Sequence, residues 1–271
     1  MPSPDPYVAI DAQPDPSLFA RLLELRGAQP HQRRLRRAFL AFAGVPAGAR
    51  VLDVGCGTGV VTRELAHRAG ARGRVVGVDP SRAFVSEARA RSRAAGLEAV
   101  CRFRAGRGDA LPFRDRAFDV VVAVTVLLHV TDSDRVLAEM CRVVRPGGRV
   151  AVLDQDFGTL VLDLPDRALT RRILDGHADR YYADPWSGRS LARRLRAAGL
   201  AAVRGRVFPV VEPRYDDYVR SMLERRVALA ARWRLVTRAA GRRWLASVEA
   251  AAERGDFYMS LNYYAAVGTR R

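Results

Sequence analysis

Lysine is absent from the 271 residues: all 46 positions counted as lysine or arginine are arginine, and alanine is abundant. That pattern reads as a base-composition bias of the genome. The net charge of +17 therefore does not by itself mark a surface built for phosphate. Nucleic acid is not the expected partner, and a solvated basic surface accounts for the charge. Cysteine is scarce. Cys56, Cys101 and Cys141 are too few and too far apart for a disulfide framework or a zinc knuckle, so they read as reduced thiols and no metal site is expected. No apolar run approaches the ~20 residues that span a bilayer, and no membrane span is expected. The first residues, MPSPDPYVAIDAQPDPS, carry prolines and acids where a secretory signal has a basic start and an apolar run, and the expected location is cytoplasmic.

What is present is a hydrophobic fraction of 49%, normal for a globular protein. The length suits one sizeable domain with a cap. Residues 50–64, RVLDVGCGTGVVTRE, read as a strand, a tight turn of Gly55, Gly57 and Gly59, and a helix. A second apolar strand, 75–78, ends on Asp79. A glycine turn feeding a helix brings backbone N–H groups close to an anionic ligand, and an acid at the next strand tip holds a ribose diol. The expected guest is an adenosine-bearing molecule. A dinucleotide fold places its third glycine three positions after the second, where Val60 stands here. The shorter loop suits a ligand with a carboxylate and an amine and no pyrophosphate.

Residues 1–44 read as an arm and two helices covering the active site, with the arginines of QRRLRR (32–37) mostly outward on the second helix. One of those arginines is a candidate to reach a ligand carboxylate. Strand and helix then alternate through the strand at 149–154, closing each helix at Gly or Pro-Gly, so the expected fold is α/β, a doubly wound, seven-stranded, mostly parallel sheet. Two insertions, at about 157–187 and 209–256, are expected to form helical lids on the remaining domain, 45–271. The first is rich in aromatic side chains, including His177, Tyr181, Tyr182 and Trp186, which are assigned to the substrate pocket.

The motifs VLDVGCGTG (51–59), VVGVDPS (75–81), GDALPF (108–113), FDVVVAVTVLLHV (118–130) and RVVRPGGRVAVLD (142–154) together resemble the S-adenosylmethionine-dependent methyltransferases of the Rossmann-like class, near the ubiquinone and menaquinone methyltransferases. The resemblance covers residues 50–154 and says little about the insertions. It implies that Gly55, Gly57 and Gly59 form the floor under the methionine part and that Asp53 lies near the ligand ammonium. Asp79, followed by Pro80, would accept both ribose hydroxyls, and Asp109 would accept the adenine amino group beside the Ala110 backbone. Thr125 and Val126 would offer carbonyls near the sulfonium.

A sulfonium is already an activated methyl donor, so the protein has to align a nucleophile and exclude water. An acceptor phenol or alcohol also needs a base. His129, just past the fourth strand, is the candidate, either as base or as a residue lining the pocket. His177, Tyr181, Tyr182, Asp154 and Asp156 stand as alternatives. The resemblance implies a methyltransferase acting on a small molecule, a secondary metabolite or quinone-like compound, at oxygen, nitrogen or carbon. An RNA methyltransferase and a non-methylating cyclase or binding protein of the same fold remain open alternatives, as does a homodimer.

Overall fold

A computed structural model describes residues 5–212 and 214–271; residues 1–4 of the expected arm and Pro213 of the second insertion lie outside the described residues. The sheet is built from β1 (Arg50–Val54), β2 (Arg74–Asp79), β3 (Cys101–Ala105), β4 (Phe118–Val124), β5 (Val144–Leu162), β6 (Ala201–Glu212) and β7 (Met259–Thr269). Their order is β3-β2-β1-β4-β5-β7-β6, with β7 antiparallel to both neighbours and the first five parallel. This is the expected doubly wound, seven-stranded sheet.

The apolar runs that form these strands are buried on both faces, as parallel strands flanked by helices must be. Val51, Val120, Val122, Ala151 and Leu153 point into one core with Leu35, Phe39 and Leu65. Their neighbours Leu52, Val121, Ala123, Val150 and Val152 point into the other with Val136, Met140, Leu191 and Leu195. On the first face lie α2 (Pro30–Ala43), α3 (Val60–Ala69) and α4 (Arg82–Ala94); on the second lie α5 (Ser133–Val143) and α7 (Ser187–Ala197). α1 (Pro16–Ala28) precedes them, started by Pro16 and capped by Asp15.

Two strands run further than the sequence pattern indicates. β5 continues past a register irregularity between Asp156 and Val161 to pair Leu162 with Met259, and β6 continues to Glu212. Residues 157–162 and 209–212, read from sequence as parts of insertions, are therefore sheet. β7 supplies a pairing edge to both, which no local pattern reveals. Above this extended floor, α6 (Arg167–Tyr181), α8 (Asp217–Arg232) and α9 (Arg238–Glu253) share a separate core with Leu162 and Met259. Trp244 fills its centre at 1% exposure and donates its indole N–H to Thr170 Oγ1 at 2.9 Å. Trp244→Ala is expected to cost about 3–5 kcal/mol in urea unfolding, because it removes a large, fully buried side chain and leaves a cavity. A loss under about 1 kcal/mol would show that the cap adds little to stability.

Candidate active site

The strand order reverses between β1 and β4, and at such a switch point the carboxyl ends of the strands leave a crevice. A cavity of about 350 Å³ lies there, lined by Asp53, Gly55, Gly57, Asp79, Pro80, Asp109, Thr125, Val126 and His129 among others. The glycine turn explains its floor. Gly55 has φ +68°, and a Cβ there would stand 2.5 Å from Val126 Cγ2. Gly59, with φ +81°, is the N-cap of α3 and supports the loop from below without lining the cavity. Ala110 is exposed and also lies outside it.

Three acids are set in distinct environments. Asp53 is buried and accepts the Thr62 hydroxyl at 2.6 Å; burial pushes its pKa up to about 7, against that hydrogen bond. Asp79 accepts Gly57 N–H and Ser81 N–H, each at 2.9 Å, and burial pushes its pKa up to about 6 in spite of them. Each Asp79 oxygen keeps a lone pair for a ligand hydroxyl. Asp109 is half-buried and held by Arg107 at 2.6 and 2.9 Å, which keeps its pKa below the ordinary carboxylate value. At the end of β4, Thr125 has φ +54°, an outlier for a β-branched residue, and donates its N–H to Leu153 O at 2.7 Å. The bend aims the chain from β4 into the turn Leu127–His129.

His129 sits where this turn meets the N-terminal arm. Its Nδ1 contacts the Asp5 carboxylate, which is 2% exposed, so Nε2 is the ring nitrogen left to take a proton. The turn is fixed from behind by Asp154, which accepts Leu128 N–H at 2.9 Å and the Ser187 hydroxyl at 3.1 Å. Burial pushes the Asp154 pKa up to about 6, with the His129 charge opposing. Asp156 is taken by Arg189.

The sequence reads an arm here but not the helix it forms or the contacts it makes. Pro6–Ala12 forms a short 3-10 helix that buries Ile10 against Ala20 and Phe84 and puts Tyr7 over the cavity, 5.3 Å from the His129 ring. Asp11 receives Ser81 Oγ–H, Arg82 N–H and Ala83 N–H at 2.6, 2.8 and 3.2 Å, a carboxylate on the positive end of α4. The acids at positions 5 and 11 around an apolar YVAI are the one sequence signal of this. Arg36 is also placed differently from the outward face read for it. It turns inward, lines the cavity, and pairs with Glu64 at 2.7 Å while donating to Gly27 O at 2.7 Å.

The four aromatic-insertion residues do not line the cavity. Tyr182 stands behind His129, ring centroids 5.6 Å apart, stacked on Phe157. His177 stacks on Tyr181 and accepts Arg226 Nη1–H at 2.9 Å; burial, then the Arg226 and Arg225 charges, hold its pKa far below the ordinary value, so its ring is neutral. Trp186 is 53% exposed under Arg189, away from the site. Aromatic density signalled the cap core and the backing of His129 in place of a lining.

Sheet order with an antiparallel β7, a glycine turn after β1, an acid ending β2 and an acid after β3 define the Rossmann-like, S-adenosylmethionine-dependent methyltransferase class. The chain is similar to that class, and its residues 52–152 match the family model of a methyltransferase domain. Methyltransferase GfsG of Streptomyces halstedii is 37% identical over 177 residues, 63% of this chain and 60% of that protein. The ubiquinone/menaquinone biosynthesis C-methyltransferase UbiE of Idiomarina loihiensis is 38% identical over 119 residues, 44% of this chain and 47% of that protein. The chain thus spans about half to three fifths of the length of these relatives. The solved YcgJ protein of Bacillus subtilis has the same fold, with a TM-score of 0.61 at 20% identity, covering 88% of this chain and 99% of that one.

The cofactor of the class is S-adenosylmethionine, and the residues fit it. The Gly55 backbone leaves no room for a Cβ, Asp79 offers spare acceptors for a diol, and no pyrophosphate-length glycine loop is present. Ribose hydroxyls donating to an ionised Asp79 would lower its pKa from the unliganded value of about 6. Between the two values binding would expel a proton, so the Asp79 contribution to S-adenosylhomocysteine affinity should rise as pH goes from about 5 to 7 and flatten above. Calorimetry in buffers of different ionisation enthalpy reads this directly. Affinity that falls with pH over that range would show that Asp79 binds in its protonated form.

Proposed function

We propose that the protein transfers the methyl group of S-adenosylmethionine to a small-molecule acceptor, a secondary metabolite or quinone-like compound, with His129 as the base. The observation that carries this is the placement of His129 on the cavity wall past the β4 end, with Nδ1 engaged by Asp5 and Nε2 left over. The cofactor supplies an electrophilic methyl carbon on a positively charged sulfur. The residues of this chain do the rest: Asp79 and Asp109 fix the adenosine end, Asp53 and the glycine turn fix the methionine end, and Thr125 and Val126 present carbonyls to the positive charge. An acceptor hydroxyl gives its proton to His129 Nε2 as its oxygen forms the new bond to carbon, and the C–S electron pair stays on sulfur.

Enclosure favours a small acceptor. Tyr7 and Val8 from the arm, Arg26 from α1 and Ala183 after α6 close around the cavity, which supports a metabolite over a folded RNA. The name of UbiE, a quinone-pathway C-methyltransferase, supports the same class. Among the described residues no helix is long and apolar enough to cross a membrane, which agrees with a cytoplasmic site of action. Labelled S-adenosylmethionine given with a metabolite extract and, separately, with total RNA tests the reading. Label is expected in the extract; label in RNA alone would sink it, and binding without transfer to either would leave the cyclase or binding alternative.

A further inference from the structure

The cavity does not end at the methyl-transfer position. Asp79 and Asp109 mark its adenosine side at β2 and after β3, and Thr125 and Val126 mark the sulfur at β4. In strand order β5 and β7 come next, on the side away from adenosine. There the wall is formed by Arg26, Gln32 and Tyr263. Tyr263, on β7 opposite Gln155 of β5, is buried, and its phenol oxygen is the target of three donors. Gln155 Nε2–H reaches it at 2.9 Å, Arg26 Nη2–H at 3.0 Å and Gln32 Nε2–H at 3.3 Å.

A hydroxyl oxygen has two lone pairs, so three donors over-subscribe it. The charge balance is equally one-sided. Three arginines line the cavity: Arg36 pairs with Glu64 and Arg107 pairs with Asp109, whereas Arg26 has no carboxylate partner among the described residues. Its guanidinium is charged at any biological pH, and among the described residues its N–H groups have no acceptor beyond Tyr263. A half-buried guanidinium whose fork is unfilled, beside a surplus amide donor, matches the oxygens of a carboxylate or phosphate.

We propose that Arg26, Gln32 and Tyr263 form a receptor for an oxyanion of the acceptor, which therefore carries a carboxylate or phosphate on the side away from the methylated atom. The inference rests on the small-molecule methyl-transfer reading and narrows it to acidic acceptors. An acidic handle would be gripped by the guanidinium while the opposite end of the molecule meets His129. Gln155, on β5, holds the phenol oxygen in place, which leaves Gln32, on the buried face of α2, to turn its amide to the anion.

The probes are matched pairs, 4-hydroxybenzoate with its methyl ester and phenyl phosphate with phenol, titrated calorimetrically into the full-length protein saturated with S-adenosylhomocysteine. The anion of at least one pair is expected to bind about tenfold or more tighter than its neutral partner. Arg26→Gln should erase that preference and Arg26→Lys should keep part of it, while S-adenosylhomocysteine affinity stays within about twofold. Equal binding in both pairs, or a preference that survives Arg26→Gln, would overturn the proposal. So would an Arg26→Gln variant that loses S-adenosylhomocysteine affinity but not affinity for its decarboxylated analogue, since the receptor then serves the cofactor carboxylate. A protein that methylates a neutral acceptor and binds neither anion overturns this inference and leaves the function standing. Anion binding without methyl transfer to any extract does the reverse.

Discussion

His129→Ala is expected to lower kcat by about 10²–10⁴-fold on a phenolic or alcoholic acceptor, with S-adenosylhomocysteine affinity unchanged. The size follows from what the residue does in the proposed reaction: it receives the proton as the nucleophile bonds to carbon. In the proposed reaction Asp53 and Asp79 face the cofactor, and Asp154 spends its oxygens on Leu128 N–H, Gln155 N–H and Ser187. Asp5→Asn removes the charge opposite Nδ1 and should lower kcat by a smaller factor, with KM little changed. In the His129→Ala background the same substitution should do nothing further, because the two residues act as one unit. Additive losses would show that Asp5 serves only to fasten the arm. Full activity of His129→Ala would retire it as the base.

The second large effect is on binding. Asp79→Ala should weaken S-adenosylhomocysteine by about 10²-fold or more in calorimetry, the loss of two hydroxyl-to-carboxylate hydrogen bonds of about 1.5–3 kcal/mol each. The Gly57 N–H loses its acceptor at the same time, so the turn itself loosens. Asp79→Asn, with one acceptor oxygen in place of two, should fall between. It should also remove the Asp79 share of the rise of affinity with pH, leaving only the part that Asp53 contributes near pH 7. An unchanged affinity in Asp79→Ala would mean that the ribose lies elsewhere.

What could be read from sequence was local. Residues 50–64 spell strand, turn and helix within one short stretch, and the acids at 79 and 109 follow their strands directly, so spacing alone places them at one sheet edge. The strands β5 and β6 were legible in number but not in length, because their outer halves are held only by pairing with β7, about 100 residues further on for β5 and about 50 for β6. The rest of the cavity wall is non-local in a stronger sense. Asp5 meets His129 across 124 residues, and Arg26 meets Tyr263 across 237. No periodicity encodes such meetings. Arg36 reads as outward because it stands in a cluster of four arginines on an amphipathic helix; Glu64 and the Gly27 carbonyl draw it inward. The tyrosines and histidine of the first insertion signalled burial, and burial turned out to mean the cap interior.

β5 and β7 run on from Leu153 and Tyr263 at the cavity wall into Leu162 and Met259 beneath α6, α8 and α9. The cap is thus continuous with the sheet through main-chain pairing and is not a separate body on a linker. Hydrogen exchange should find the amides of the cap helices and of the outer halves of β5 and β7 opening as one cooperative unit. Trp244, far from any reacting atom, then sets how often the floor beside Tyr263 is intact, and a cap mutation registers at the active site as a change in population.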